Sequence, residues 1–169
     1  MKTFGLAAVL GLVMMAPAMA QSQSASAWYV TSANEQGTTT MDVGRLDKRG
    51  DVVVGQSALY FVRSKPTAEG DSVDFIQTMD AYDCSQPNST RTLMAEGYKV
   101  GQQPPVFAYN DTKSAEWKTY KDGTPGAKAW AAACQGPNPK LRLPNLDTHE
   151  QVLDLVREHA AEYARQQGR

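Results

Sequence analysis

The sequence predicts an α+β fold: an antiparallel meander of about five to six strands, a short disulfide-linked helix packed on it, and a helix at the carboxyl terminus. Three observations lead there. Between Trp28 and Val100, runs of β-branched and aromatic residues alternate with glycine- and aspartate-rich turns, without a βαβ rhythm. Two stretches with helical spacing follow, opening at Thr124 and Thr148. Two cysteines, Cys84 and Cys134, stand behind what reads as an export signal.

The signal occupies residues 1–20: Lys2 supplies the positive start, Phe4 to Met15 the apolar run and Ala18-Met19-Ala20 the small-residue cleavage site. The apolar run is shorter than the roughly 20 residues a spanning helix needs, and no later stretch approaches that length. No cysteine follows the cleavage site, so a lipid-anchored amino terminus is not expected. The expected layout is a leader over 21–27, a stapled sheet-and-helix domain over 28–136, a proline-rich linker over 137–147 and an amphipathic helix over 148–167. A formal net charge of −1 argues against a nucleic-acid or polybasic membrane partner.

The elements follow in order. Trp28-Tyr29-Val30-Thr31 and Thr38 to Val43 suit pleated strands around the turn at Glu35-Gln36-Gly37. Asp47 to Asp51 reads as a turn. Val52 to Val62 is long for one strand, and Gly55 inside it predicts a bulge or bend. From Val73 to Cys84, alternation places Phe75, Gln77, Met79 and Ala81 on one face and Ile76, Thr78 and Tyr82 on the other. Arg91 to Val100 resumes an extended pattern until Gly101 and Pro104-Pro105 interrupt it. Thr124-Pro125 then fits an N-cap with proline at the first helical position, and Ala127 to Cys134 favours helix. Thr148 with Gln151 matches a capping box, and Val152, Leu155, Val156, His159, Ala160 and Tyr163 form a stripe.

With two cysteines in an exported chain, Cys84 and Cys134 have one pairing, and the loop of about 50 residues makes that bridge worth about 4 kcal/mol. Their spacing is not that of a redox-active Cys-x-x-Cys. His149 and His159 lie ten residues apart on one helix, about 15 Å, too far to share a metal. His159 on the stripe reads as packed, His149 in the first turn as exposed. Asp74, Asp80 and Asp83 are divided between strand faces and make a carboxylate pair only with help from another segment. Arg49-Gly50-Asp51 spells the integrin-binding tripeptide but is also ordinary turn chemistry, as are the glycosylation-like triplets at Asn88 and Asn110. Nucleophile-elbow, phosphate-loop and zinc spacings are missing, so no catalytic residue, cofactor or metal is assigned. Trp28 is expected in the core, while Trp117 is open to a surface role.

Trp28-Tyr29 opening a strand, Tyr82-Asp83-Cys84 ending one, Trp117 ahead of the Pro125-Gly126 helix start, and Cys134 closing that helix together resemble the surface-adhesin protein E family. These are small exported proteins of Gram-negative bacteria, and the resemblance covers roughly Ala27 to Cys134. It implies an antiparallel sheet with a helix tied on by the disulfide. For the name-giving members it also implies adhesion through host matrix and serum proteins. The chain departs from that pattern in lacking a lipid-attachment cysteine and in carrying a helix after Pro144.

The leading expectation is a non-enzymatic, adhesin-like module, periplasmic or displayed outside the cell, that presents a sheet face or edge to an envelope or host protein. The alternative is a periplasmic enzyme or small-ligand carrier using a sheet-to-helix crevice lined by Asp80, Tyr82 and Trp117. A third reading is a structural envelope component that self-associates as a homodimer.

Overall fold

Backbone pairing follows chain order almost without exception. In the computed structural model, which describes residues 26–144 and 148–166, eight strands and two helices are found among the described residues. The strands are β1 (Trp28–Asn34), β2 (Gly37–Asp42), β3 (Asp47–Arg49), β4 (Val52–Pro66), β5 (Ser72–Asp83), β6 (Ser89–Tyr98), β7 (Phe107–Asn110) and β8 (Lys118–Thr119). The helices are α1 (Pro125–Cys134) and α2 (His149–Gln166). The path β1-β2-β4-β5-β6-β7 is an antiparallel meander, with β3 added beside β4 and β8 beside β6. The export signal expected over 1–20, most of the leader and residues 145–147 lie outside the described residues.

The meander is the expected one, with three differences. The Asp47 to Asp51 turn is tighter than expected: Asp47–Arg49 pairs with Val52 to Val54 as β3, leaving Gly50-Asp51 as the connection. β7 and β8 add short strands where none was assigned. Gly55 marks no bulge, because the β4–β5 register runs unbroken from Val52 to Tyr60; the shift falls between Tyr60 and Lys65. The reason for a glycine there is steric. Leu46 packs flat on β4, and a Cβ at position 55 would lie 2.5 Å from its side chain.

The two helices cover opposite faces. Val53 pairs directly with Tyr82, and Tyr60 with Phe75, so each pair shares a face. Val53 and Tyr60 are seven residues apart in an unbroken strand and therefore point to opposite sides. Val53, Tyr82 and Met41 pack with Ala129, Trp130 and Ala132 of α1. Tyr60, Phe75 and Ala58 pack with Val152, Leu153 and Val156 of α2. The molecule thus has two apolar cores on one sheet, offset toward opposite ends of β4.

Each helix is set by local chemistry. Thr124 caps α1, accepting from the Ala127 backbone N–H at 3.4 Å, with Pro125 in the first turn. Trp130 is buried, and its indole N–H donates to the Asp83 carbonyl at 2.8 Å. The Cys84–Cys134 disulfide, with its Cα atoms 5.4 Å apart, ties the end of α1 to the residue after β5. The α2 capping box is reciprocal: Gln151 N–H donates to Thr148 Oγ1 at 3.2 Å, and Thr148 N–H to Gln151 Oε1 at 3.3 Å. Its buried stripe is Val152, Leu153 and Val156, rotated from the expected one, and Leu155 is only half-buried. No helix among the described residues is long and apolar enough to cross a membrane.

Candidate functional site

Strand register converts scattered serines and threonines into one lining. Direct pairing places Ser57 beside Thr78, Asp80 beside Thr92 and Tyr82 beside Thr90, all on the face that carries α1. The helix covers the Val53 end of that face, reaching Tyr82, and leaves Thr78 and Thr92 beside its edge. Between them and the first turns of α1 lies a crevice of about 190 Å³, walled on the helix side by Tyr120, Pro125, Gly126 and Ala129. Gly126 permits the close wall, because a Cβ there would meet the Tyr120 ring at 2.7 Å.

Asp80 is the one carboxylate in this lining. Thr92 donates to its Oδ1 at 2.7 Å, Thr78 to its Oδ2 at 2.6 Å, and Tyr82 reaches the same Oδ2 at 3.5 Å. Burial pushes its pKa above the ordinary carboxylate value, and these hydroxyls offset only part of that rise. No ion pair to Asp80 exists among the described residues. Tyr82 is 2% exposed, shares a 3.0 Å bond with Ser57, and is held far above its usual pKa by burial and then by the Asp80 charge.

Asp80 and Tyr82 therefore stand together, but Trp117 does not join them. Trp117 is 39% exposed and lies under the Arg91 guanidinium, 4.7 Å from its ring centroid. Arg91 pairs with Ala81, which alternation turns away from Asp80 and Tyr82. Tyr120 occupies the wall assigned to Trp117. Ser57, Thr90, Thr92 and Tyr120 were not singled out from the sequence; only the cross-strand register gathers them.

The other face holds a second cavity of about 210 Å³ under the start of α2, lined by Trp28, Arg45, Gln56, Tyr60, Gln77 and His149 among others. Here the two histidines exchange their expected roles. His149 is half-buried and His159 is exposed, because the first turn of α2, not its later turns, sits over the aromatic cluster. The His149 ring stacks on Phe75 at 4.8 Å and meets the edge of Trp28 at 6.2 Å. Its Nε2 faces the Gln77 amide nitrogen at 2.5 Å and so accepts; Nδ1–H then donates to Tyr60 Oη at 2.6 Å. Burial lowers the His149 pKa. Trp28 is half-buried here, on the edge of this core.

The remaining candidates separate. Asp74 faces α2, where Arg157 donates to it at 3.0 Å, and Asp83 bonds to Ser85, so the three aspartates of β5 share no site. Arg49-Gly50-Asp51 is exposed at the β3–β4 tip, with the Arg49 guanidinium 2.6 Å from Asp47. Asn88, at φ +60°, donates to Asp122 at 2.7 Å, a turn role. Among the described residues no cluster of three or more histidine, cysteine, aspartate or glutamate side chains could hold a metal ion. No protein family, curated protein or solved structure matches this chain.

Proposed function

We propose that this is an exported envelope protein that binds a protein partner, without catalysis, through the part of the sheet that α1 leaves bare. The observation that carries the reading is an apolar strip on the α1 face that begins at Leu59, on the rim of the crevice, and runs away from α1. Leu59 pairs with Ile76, Ile76 with Gly97, and the Phe107 ring lies against Gly97. Phe61, two residues past Leu59, extends the strip on one side, and Tyr109, 47% exposed, on the other. Leu59, Phe61, Ile76 and Phe107 are half-buried and, among the described residues, belong to neither of the two cores beneath α1 and α2. Apolar side chains gathered at water in this way mark interaction surfaces. The signal-like amino terminus and the disulfide support an oxidising compartment, periplasmic or beyond. The resemblance to the surface-adhesin protein E family supports a host or envelope protein as the partner.

The disulfide-bonded protein, immobilised and exposed in parallel to envelope extract and to purified matrix proteins, tests the reading. A partner retained by the wild type and lost with both Ile76→Glu and Tyr109→Glu is the expected result. Equal retention by the wild type and both variants overturns the assignment of this face, and retention of nothing overturns the function. Light scattering on the same samples reports whether the partner is a second copy.

A further inference from the structure

Asp80 is a partly buried carboxylate whose bonding partners are all neutral hydroxyls. Burying a charge without an opposite charge is unfavourable, and buried carboxylates ordinarily have cationic partners. The usual candidates are elsewhere: Arg91 stacks on Trp117 and Arg157 is held by Asp74. Lys118, which register places beside Thr90 on the same face, makes no ion pair with Asp80 either, so among the described residues no cation pairs with this carboxylate, and an open crevice adjoins it.

We infer that the crevice between β4–β6 and α1 binds a primary alkylammonium group, with Asp80 as counter-ion. The hydroxyls make the site selective. Thr78 and Thr92 each spend their proton on Asp80 and keep oxygen lone pairs available as acceptors, so the lining offers acceptors around one negative charge. An –NH3+ group carries three donors and no acceptor, which is the complement of that lining. Carboxylates and phosphates are repelled. A divalent cation has one carboxylate where such ions usually recruit several charged oxygens. The alkyl chain has the Tyr120 ring, Pro125 and Ala129 to lie against. At about 30 Å³ per water, the crevice holds about six waters, the size of a short alkylamine or the end of a lysine side chain.

The inference stands apart from the protein-binding reading, because a free amine needs neither the apolar strip nor a partner. The test is an NMR titration of the intact, disulfide-bonded protein with n-butylammonium, following the backbone amides of Thr78, Thr92 and Tyr120. Saturable shifts are expected with butylammonium and not with 1-butanol, sodium or calcium, and binding weakens as pH falls and Asp80 takes up a proton. Asp80→Asn should weaken binding roughly tenfold or more, the scale of a charge-assisted bond. Thr92→Val, at an exposed position that leaves the core untouched, should weaken it less, which keeps the test decisive if Asp80→Asn fails to fold. An equal response to 1-butanol or calcium, no response at saturation of the solution, or binding indifferent to pH overturns the site. A capped lysine peptide distinguishes the source. Binding equal to butylammonium points to a protein lysine, and exclusion of the peptide with retention of the amine points to a free metabolite-sized amine.

Discussion

Three titratable residues respond to burial in three ways, and the differences come from their neighbours. Asp74, with its side chain 8% exposed, would be pushed up by burial, but Ser64, the Val100 N–H and Arg157 outweigh that and bring its pKa below the usual value. Asp80, with hydroxyls and no cation, stays raised. His149 has no acid beside it; Arg45 lines the same cavity and Tyr60 is its hydroxyl partner, so burial alone pulls its pKa down. The signs follow by linkage. Neutral His149 contributes stability above the unfolded histidine value of about 6.5, and this is lost as pH falls below it, because the unfolded chain then binds the proton first. Asp74 adds stability that is lost at lower pH, as it falls through the depressed folded value, whereas Asp80 favours the folded state below the unfolded aspartate value and loses that contribution as pH rises through its raised one. Between about pH 7 and 5, His149 and Asp80 therefore act in opposite directions, and we expect the urea midpoint to lose less, or gain more, on acidification in His149→Gln than in the wild type. A His149 ring that titrates at or above the free-histidine value by NMR contradicts this account.

α2 shows how far a helix can be read before its tertiary setting is known. Its limits and capping box were legible, since Thr148 and Gln151 act through local backbone geometry. Its buried face was not, because Leu153 and Leu155 are both plausible on apolar spacing and only contact with the sheet chooses between them. Leu153 is 1% exposed. Leu153→Ala should cost about 2–5 kcal/mol, and Leu155→Ala at its half-buried position less than about 1.5 kcal/mol, by chemical denaturation. Equal costs would place α2 on the sheet through a different face. The strands divide similarly. β4, β5 and β6 announced themselves by long alternation, but β3, β7 and β8 have two to four residues each and exist through their neighbours' pairing. The candidate site divides on the same line. Asp80 and Tyr82 share a face by simple alternation within β5. Thr92 and Thr90 join them through a register shift between Met79 and Asp80, and Tyr120 through the turn before α1, neither of which leaves a mark in local sequence.

At the scale of the whole molecule, the disulfide closes a 50-residue loop between the end of β5 and the end of α1. Such a link is worth about 4 kcal/mol in the chain-entropy account, a large share of the 5–15 kcal/mol that holds a typical domain together. Cys134→Ser should lower Tm by about 10 °C under otherwise equal conditions, and reduction of the wild type should do the same. A change within error in both would mean that α1 is held by Trp130 and its alanine face alone. The placement of the helices has another outcome. Leu59 belongs to the bare strip and Tyr60 to the aromatic floor beneath α2, yet they are consecutive residues of one strand. The imidazole of His149, hydrogen-bonded to that tyrosine, therefore sits one strand's thickness from the bare face. A shift of its resonance when that face is occupied is the expected sign that the strand relays the contact, and an unmoved resonance would show that the two sides of the sheet act independently.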